Sequence, residues 1–252
     1  MLLQPLWTLL LGHASLLCSP LFPAVFSLSV FLCCCLPFLL LDLLSSRWAL
    51  LRRYKLQSHS SISWASVCSC MAMTLYNHLV FILPLTVLHS YLRPIRLPEQ
   101  APPLPRLLTQ VLACLLLFDF QSFTWHLLHH RITWLYCRFH KVHHTYTSTY
   151  ALTAEYTGTW EMLSLGVFAA ANPALLGCHP LTELAFFLLN IWLSVEDHCG
   201  YDLPWATHCL VPLGLYGGAR HHDLHHLNAK CNYAPYFTHW DRLAGTLRTQ
   251  DR

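Results

Sequence analysis

Residues 107–130 read LLTQVLACLLLFDFQSFTWHLLHH, an apolar run that ends in a group of histidines. As one helix, at about 1.5 Å per residue, the run is long enough to cross a hydrocarbon core of about 30 Å. His126 and His130 are spaced i and i+4 near its end, so both rings project from one face and could bind one metal ion. His129 points roughly 100° away from that face, which makes it a secondary candidate ligand or a surface group.

Other apolar stretches lie on both sides of this run. Residues 21–41 contain no charged residue, and residues 67–88 form a further run with one His and one Pro. Residues 162–176 and 181–195 have about 15 residues each, which is short of the roughly 20 needed for an untilted span. The pattern predicts an all-α integral membrane protein with about four transmembrane or re-entrant helices.

The composition agrees with a lipid environment. Of the 252 residues, 55% are hydrophobic and 11% are charged, and the mean hydropathy is +0.41, whereas soluble domains carry about 25% charged residues. A formal charge of +3, without a basic run interleaved with aromatics, excludes nucleic acid as a partner. The 12 Cys include three consecutive ones at 33–35 inside an apolar run, so we interpret them as packing residues and not as disulfides.

We expect residues 1–252 to form one membrane-embedded domain with three parts. Residues 1–20 are predicted to be an interfacial or anchoring segment, and residues 21–195 to hold the membrane helices. Residues 196–252 are mixed polar, aromatic and His-rich, which predicts a cytosolic cap of short helices. Four basic residues between positions 47 and 55 follow the first span, so the positive-inside rule puts that end, and the histidines with it, in the cytosol.

Two more histidine boxes follow the first. HKVHH at 140–144 and HHDLHH at 221–226 both contain an i, i+3, i+4 set, so we expect three rings on one helical face in each; His221 is a secondary candidate. Eight candidate ligands imply two ions, because one ion seldom takes more than six. An all-imidazole set admits Zn, Fe, Cu or Ni, and the spacing does not choose among them. The eight candidates are His126, His130, His140, His143, His144, His222, His225 and His226.

A ninth histidine, His198, lies in EDHCGYD at 196–202, where it could be a ligand or simply the end of a helix. Ligating rings need their outer N–H oriented by an acceptor. The carboxylates placed for that role are Asp119, Glu196, Asp197 and Asp223.

These motifs together resemble those of a known group of enzymes. The first box with WLY at 134–136, FHKVHH at 139–144, EDHCGY at 196–201, HHDLHH at 221–226 and YFTHWDR at 236–242 are similar to the sterol desaturase and fatty-acid hydroxylase superfamily. Within it, the chain resembles the vertebrate cholesterol 25-hydroxylases over most of its length.

The resemblance implies a non-haem di-iron centre with His198 among its ligands. It also implies O2 as oxidant, with electrons from NADPH delivered by cytochrome b5 or an NADPH-dependent reductase. The implied reaction converts cholesterol to 25-hydroxycholesterol in the endoplasmic reticulum membrane, with an active site that faces the cytosol. The sequence contains no GxGxxG fingerprint, which agrees with an external electron donor.

Other functions remain open on the sequence alone. A related C-4 sterol methyl oxidase, fatty-acid hydroxylase or desaturase acting on another membrane lipid would use the same boxes. A membrane zinc hydrolase is a different class, but zinc takes three or four protein ligands and eight are too many for it. A metal transporter or sensor without chemistry should place its histidines inside the spans, and here they lie at the ends.

Overall fold

The structure is a computed structural model that describes residues 2–249; residue 1 and residues 250–252, at the ends of the predicted anchor and cap, lie outside the described residues. The described chain is helical and contains no strand, only two isolated β-bridges. The main helices are α1 (Gln4–Leu11), α2 (Phe22–Ser45), α3 (Trp64–Leu92), α4 (Leu104–Arg131), α5 (Thr159–Leu175), α6 (Pro180–His198), α7 (Gly218–Leu227) and α8 (His239–Ala244). The shorter turns are Ala14–Leu17, Ala49–Arg52, Thr133–Leu135, Tyr136–His140, His143–Thr145, Ala151–Glu155, Thr207–Leu210 and Pro212–Gly214.

Three of the described helices, α2, α3 and α4, are long and apolar enough to cross a membrane. They contain the predicted runs 21–41, 67–88 and 107–128 almost entirely, and leucines such as Leu36, Leu79 and Leu108 are exposed on their outer faces. Such leucines are expected where a helix faces lipid. Helices α5 and α6, of 17 and 19 residues, occupy the two shorter apolar stretches.

Helix α6 lies at the centre of the packing, between α4 on one side and α2 on the other. Phe186 and Leu193 of α6 pack with Phe118 of α4 in one core cluster, and Val195 packs with Phe31 of α2 in a second. Helix α6 contributes buried side chains to both clusters, so it fixes how α2 and α4 are placed relative to each other. Its last residue therefore has a well-defined position.

The N-terminal segment is packed into the fold. Trp7 of α1 is fully buried in the first core cluster, and its indole Nε1 donates to the carbonyl oxygen of Pro98 at 2.7 Å. The Gln4 side chain is also bonded to the 93–103 loop, because its Oε1 accepts from Ala101 N at 2.8 Å. These contacts tie α1 to the loop that joins α3 and α4.

Gly200 follows α6 in a left-handed conformation, with φ +76°. A Cβ on Gly200 would lie 2.6 Å from the carbonyl oxygen of Thr149, a backbone atom that cannot move aside cheaply. We expect Gly200→Ala to lower the free energy of unfolding by about 3 kcal/mol or more, from the backbone strain with the clash added. Gly214→Ala is the control, since it has φ +61° and open space, and should cost only about 1 to 2 kcal/mol. Thermal unfolding in detergent measures both, and equal shifts would contradict the steric argument.

Candidate metal centre

The nine candidate histidines meet in two neighbouring groups at one end of the helix bundle. Within each group the ring nitrogens that could serve as ligands all lie within 4.8 Å of one another. The five-histidine group contains His126, His130, His140, His144 and His225, and the four-histidine group contains His143, His198, His222 and His226. The structure thus brings together all eight box histidines and the ninth candidate.

Helix α4 supplies the first pair as the spacing predicts. His126 and His130 lie on one face of its last turns, with ring centroids 4.8 Å apart and Nε2 atoms 3.2 Å apart. Trp125 on the neighbouring face stacks on His129 at a centroid distance of 3.5 Å. His129 donates from Nδ1 to the carbonyl oxygen of Trp125 at 2.6 Å, and it lies outside both groups.

The second box does not form one helical face, so that prediction is wrong. Its backbone passes from a π turn, Tyr136–His140, to a 3-10 turn, His143–Thr145, so the box does not lie on one continuous α-helix. His140 and His144 enter the five-histidine group, whereas His143 enters the four-histidine group. Adjacent residues therefore serve different groups.

The third box lies on the regular helix α7 and divides in the same way. His222 and His226 enter the four-histidine group and His225 enters the five-histidine group. In every box, the histidines at i and i+4 share a group, and in the second and third boxes the one at i+3 crosses to the other. His221 points elsewhere, with its Nε2 3.3 Å from Oδ2 of Asp241.

His198 completes the four-histidine group from the last turn of α6. Its Nδ1 donates to the carbonyl oxygen of Ser194 at 2.8 Å, and its Nε2 lies 2.9 Å from Nε2 of His222 and 3.3 Å from Nε2 of His143. Spacing along the chain gave no sign of this convergence, since His198 stands alone in its segment.

Backbone carbonyls fix the outer nitrogens of several rings. Nδ1 of His126 donates to Tyr233 O at 2.6 Å, and Nδ1 of His225 donates to Cys231 O at 2.6 Å. A neutral imidazole has one N–H, so a ring that donates from Nδ1 presents an unprotonated Nε2 to the centre. These carbonyls therefore select the tautomer that can bind a metal ion.

The inner nitrogens converge closely. Nε2 of His144 lies 3.1 Å from Nε2 of His130, 3.0 Å from that of His140 and 3.2 Å from that of His225. Lone pairs that face one another across such distances repel unless a cation lies between them. Nitrogens bound to one ion at about 2.1 Å are separated by roughly 3.0 to 3.4 Å at octahedral or tetrahedral angles. The donor set therefore fits two metal ions, one for each group.

The electrostatic setting favours neutral rings. Burial, with the neighbouring histidines second, lowers the pKa of His144 to about 3. Burial likewise holds the pKa of His143, His222 and His225 well below the usual value for histidine. Neutral imidazole is the form that binds metals, so the folded protein holds these rings ready for ligation at neutral pH.

The four carboxylates predicted to orient ligand rings have other partners, so that prediction is wrong. Asp119 accepts from Tyr236 N at 2.8 Å and Glu196 accepts from Thr207 N at 3.1 Å. The remaining two bind side chains, Asp197 accepting from the Tyr216 hydroxyl and Asp223 from the Gln57 amide. They fix the loops around the centre, and the rings are oriented mainly by carbonyls.

One carboxylate that sequence reasoning missed does contact a candidate ligand. Glu161, buried in the first turn of α5, has its Oε1 3.0 Å from Nδ1 of His140, and its Oε2 has no hydrogen-bond partner. The only sequence signal is an acidic residue directly before the apolar run 162–176. His140 is thereby the candidate ligand whose outer nitrogen is paired with an acid.

We expect Glu161→Ala to weaken metal binding by about 10- to 100-fold, because the outer partner of a ligating histidine sets its orientation and basicity. Glu161→Gln keeps an acceptor oxygen and should lose less. Glu183→Gln, on the neighbouring helix α6 but far from the histidines along it, is the matched control and should bind metal as the wild type does. Competition with a chelator, followed by metal analysis, measures the affinity. Wild-type affinity in Glu161→Ala would refute the role.

A cavity of about 1440 Å³ opens beside the two groups. His126 and His140 of the five-histidine group face it, as do His143, His198 and His222 of the four-histidine group. Much of the remaining wall is apolar side chains from the helices. The arrangement places a largely apolar cavity of lipid size directly beside the metal-binding nitrogens.

Comparisons with known proteins place this geometry in context. The sequence model of the fatty acid hydroxylase family matches residues 111–246. The chain is 62% identical to a cholesterol 25-hydroxylase-like protein of Danio rerio, over 97% of this chain and 98% of that one. It is 54% identical to the cholesterol 25-hydroxylase of Homo sapiens, over 98% of this chain and 91% of that one.

A more distant relative is a cholesterol 25-hydroxylase-like protein of Caenorhabditis elegans, 32% identical over 96% of this chain and 81% of that one. No solved structure matches the chain. The similarity extends over nearly the whole chain, including the segments that carry all nine grouped histidines.

Proposed function

This chain belongs to the fatty acid hydroxylase family, and from that premise we propose that it is a sterol hydroxylase that inserts one oxygen atom from O2 into the side chain of cholesterol to give 25-hydroxycholesterol. The observation that carries the proposal is the pair of all-histidine groups opening on a cavity of lipid size. The substrate and the position are taken from two relatives, the cholesterol 25-hydroxylase at 54% identity and the cholesterol 25-hydroxylase-like protein at 62% identity.

The nine grouped histidines are the proposed ligands of two iron ions. A bound pair of redox-active irons would pass electrons from the external donor to O2 and supply the oxidising power needed to attack an unactivated C–H bond. The protein's part is to hold neutral rings in place, which the carbonyls of Tyr233 and Cys231 and the carboxyl of Glu161 do at the outer nitrogens.

The cavity wall performs the second task, which is to receive the lipid and exclude water. Phe118 of α4, Leu165 of α5 and Ile191 of α6 line it with apolar surface. Water near a strong oxidant leads to side reactions, so an apolar wall protects the reacting carbon. An apolar chain threaded to the histidines would displace the remaining water.

Electrons are proposed to come from NADPH through cytochrome b5 or a NADPH-dependent reductase. Arg131, Arg138 and Lys141 are exposed beside the first two boxes and could contact an acidic donor. We place the protein in the endoplasmic reticulum membrane as a multi-pass chain with its histidines facing the cytosol. Residues 196–252 would then form the cytosolic cap of a single domain, and residues 1–20 an anchor packed against the 93–103 loop at the opposite end.

The decisive experiment incubates the purified protein with cholesterol, ¹⁸O2, NADPH and a reductase system, and identifies the product by mass spectrometry. We expect one ¹⁸O atom at carbon 25 and no product without O2. A double bond, an oxidised C-4 methyl group or turnover only with fatty acids would assign a related reaction in the same superfamily. Lipid hydrolysis that continues without O2 and with zinc alone would replace the proposal by a hydrolase.

A further inference from the structure

The cavity beside the histidines continues along the helices to the opposite end of the bundle. It is lined by both His126 and Arg106 of α4, which are 20 residues apart, a distance of about 30 Å along a helix. It is also lined by His198 and Glu183 of α6, 15 residues or about 22 Å apart. The cavity therefore has a metal end, at the two histidine groups, and a remote end.

The wall between the two ends is apolar. Ala169 and Leu165 of α5 face it from one side, and Phe187 and Ile191 of α6 face it from another, with Phe118 of α4. A long, stiff hydrocarbon body fits such a wall without leaving polar groups unsatisfied. Orientation must then be set at the ends.

The remote end is polar. Nη2 of Arg93 lies 3.9 Å from Oε1 of Glu183, and both side chains are partly exposed. His179 accepts from Leu181 N at Nδ1, so its Nε2 donates to the carbonyl oxygen of Gln100 at 3.1 Å. These groups belong to the 93–103 loop and to the start of α6, at the ends of the helices that lie away from the histidine groups.

We propose that the remote end binds the polar head of the lipid substrate, the hydroxyl group of a sterol, between Arg93 and Glu183, while the tail extends along the cavity to the histidines. The inference rests on the proposed function for its substrate class. It adds a head-group site that decides which end of the molecule is oxidised.

The chemistry of the pair suits a hydroxyl group. An alcohol both donates and accepts a hydrogen bond, and here Glu183 accepts while Arg93 donates. Their separation of 3.9 Å is longer than a direct hydrogen bond, so the alcohol oxygen can bridge the pair at little cost to it.

The membrane supports the same orientation. Lipids of each leaflet hold their heads at the surface and their tails toward the midplane. A sterol of the leaflet farther from the histidines therefore already directs its tail at the metal end. A sterol of the nearer leaflet would bring its hydroxyl group to the histidines and would have to invert first.

Photolabelling of the full chain in liposomes tests the orientation without turnover. Two sterols are used, one with a diazirine in the ring system near the hydroxyl group and one with a diazirine at the end of the side chain. We expect the ring probe to label residues 93–106 and 176–187, and the side-chain probe to label residues 122–126 and 191–198. The reverse pattern, or the same labels from both probes, would overturn the proposal. Labelling requires no hydroxylation, so the labelling pattern can be interpreted even if the protein shows no activity.

Kinetics provide the second test. Glu183→Gln and Arg93→Leu should each raise KM for cholesterol by about tenfold, since a hydrogen bond to a charged group contributes on the order of 1.5 kcal/mol. Glu99→Gln, an exposed acid of the same loop outside the cavity wall, is the matched control and should leave KM unchanged. Cholest-5-ene, which lacks the hydroxyl group, should show the raised KM with the wild type and no further increase with either variant. If the substitutions raised KM for cholest-5-ene as much as they raise it for cholesterol, the head-group assignment would be overturned. If the wild type turned over no sterol at all, the proposed function itself would be refuted.

Discussion

Replacing His225 or His143 with Ala is expected to abolish hydroxylation while the protein still inserts and folds. His225 belongs to the five-histidine group and His143 to the four-histidine group, so each substitution opens one of the two proposed ion sites. Removing a residue that only hydrogen-bonds to a ligating histidine lowers metal affinity or activity by up to about 100-fold. Removing the ligand itself should lower them further. Product formation, measured by mass spectrometry, should fall below detection in both variants.

The matched control is His129→Ala, which removes a histidine of the first box that stacks on Trp125 outside both groups. It should retain its metal and most of its activity. Metal content per chain, measured on the same preparations, should fall in His225→Ala and His143→Ala and not in His129→Ala. Activity retained in either ligand variant would count against the assignment of that group.

Asp241→Ala is expected to cause a large loss of stability. Asp241 is fully buried and accepts from Tyr233 N at 2.8 Å, Ala234 N at 2.8 Å and Thr246 Oγ1 at 2.6 Å. Its removal leaves these buried donors unpaired, at about 1 to 3 kcal/mol each, so we expect a loss of at least about 3 kcal/mol in the free energy of unfolding. Thermal unfolding measures it.

The same substitution should weaken metal binding, because the segment held by Asp241 supplies the carbonyl of Tyr233 to His126. Asp202→Ala is the control: Asp202 pairs with His208 and Arg220 but is partly exposed, and surface pairs contribute about 0 to 1 kcal/mol. A similar loss in the two variants would contradict the importance of burial.

Asp241 also gives the stability a dependence on pH. Burial alone would raise the pKa of Asp241, but the hydrogen bonds it accepts, first from His221 and Thr246, outweigh burial and hold the pKa below the usual value for aspartate. A carboxyl with a lowered pKa stabilises the fold above the pKa that it has in the unfolded chain, about 4, and this contribution is lost as the pH falls through the folded value. Asp241→Asn should therefore remove part of the acid sensitivity of unfolding, measured by titrated thermal scans.

Much of the helical framework could be predicted from sequence because the length of an apolar run is itself the physical requirement for a span. Helices α2, α3 and α4 contain the three long runs, and the i, i+4 spacing of His126 and His130 fixed their shared face. These predictions rest on local periodicity, which each helix satisfies without help from the rest of the chain.

The features that could not be predicted depend on contacts between distant segments. The split of His143 from His144 is repeated by His225 and His226 on the regular helix α7, so it depends on where the other segments bring their rings, which no spacing rule contains. The prediction for Asp119 failed because its carboxylate is bound by the backbone of Tyr236, more than 100 residues later in the chain. Glu161 has no motif around it, and its role is visible only once α5 lies against the second box.

The adjacency of His143 and His144 joins the two groups through a single peptide unit. Their ring centroids lie 5.6 Å apart, and consecutive Cα atoms are held at about 3.8 Å. Binding of one ion therefore restricts the backbone that also carries a ligand for the other ion. The second ion then binds to a chain that is already ordered, so its binding costs less conformational entropy. Loading should be cooperative, so that native mass spectrometry at substoichiometric metal finds mainly empty and doubly loaded chains, with few at the halfway state.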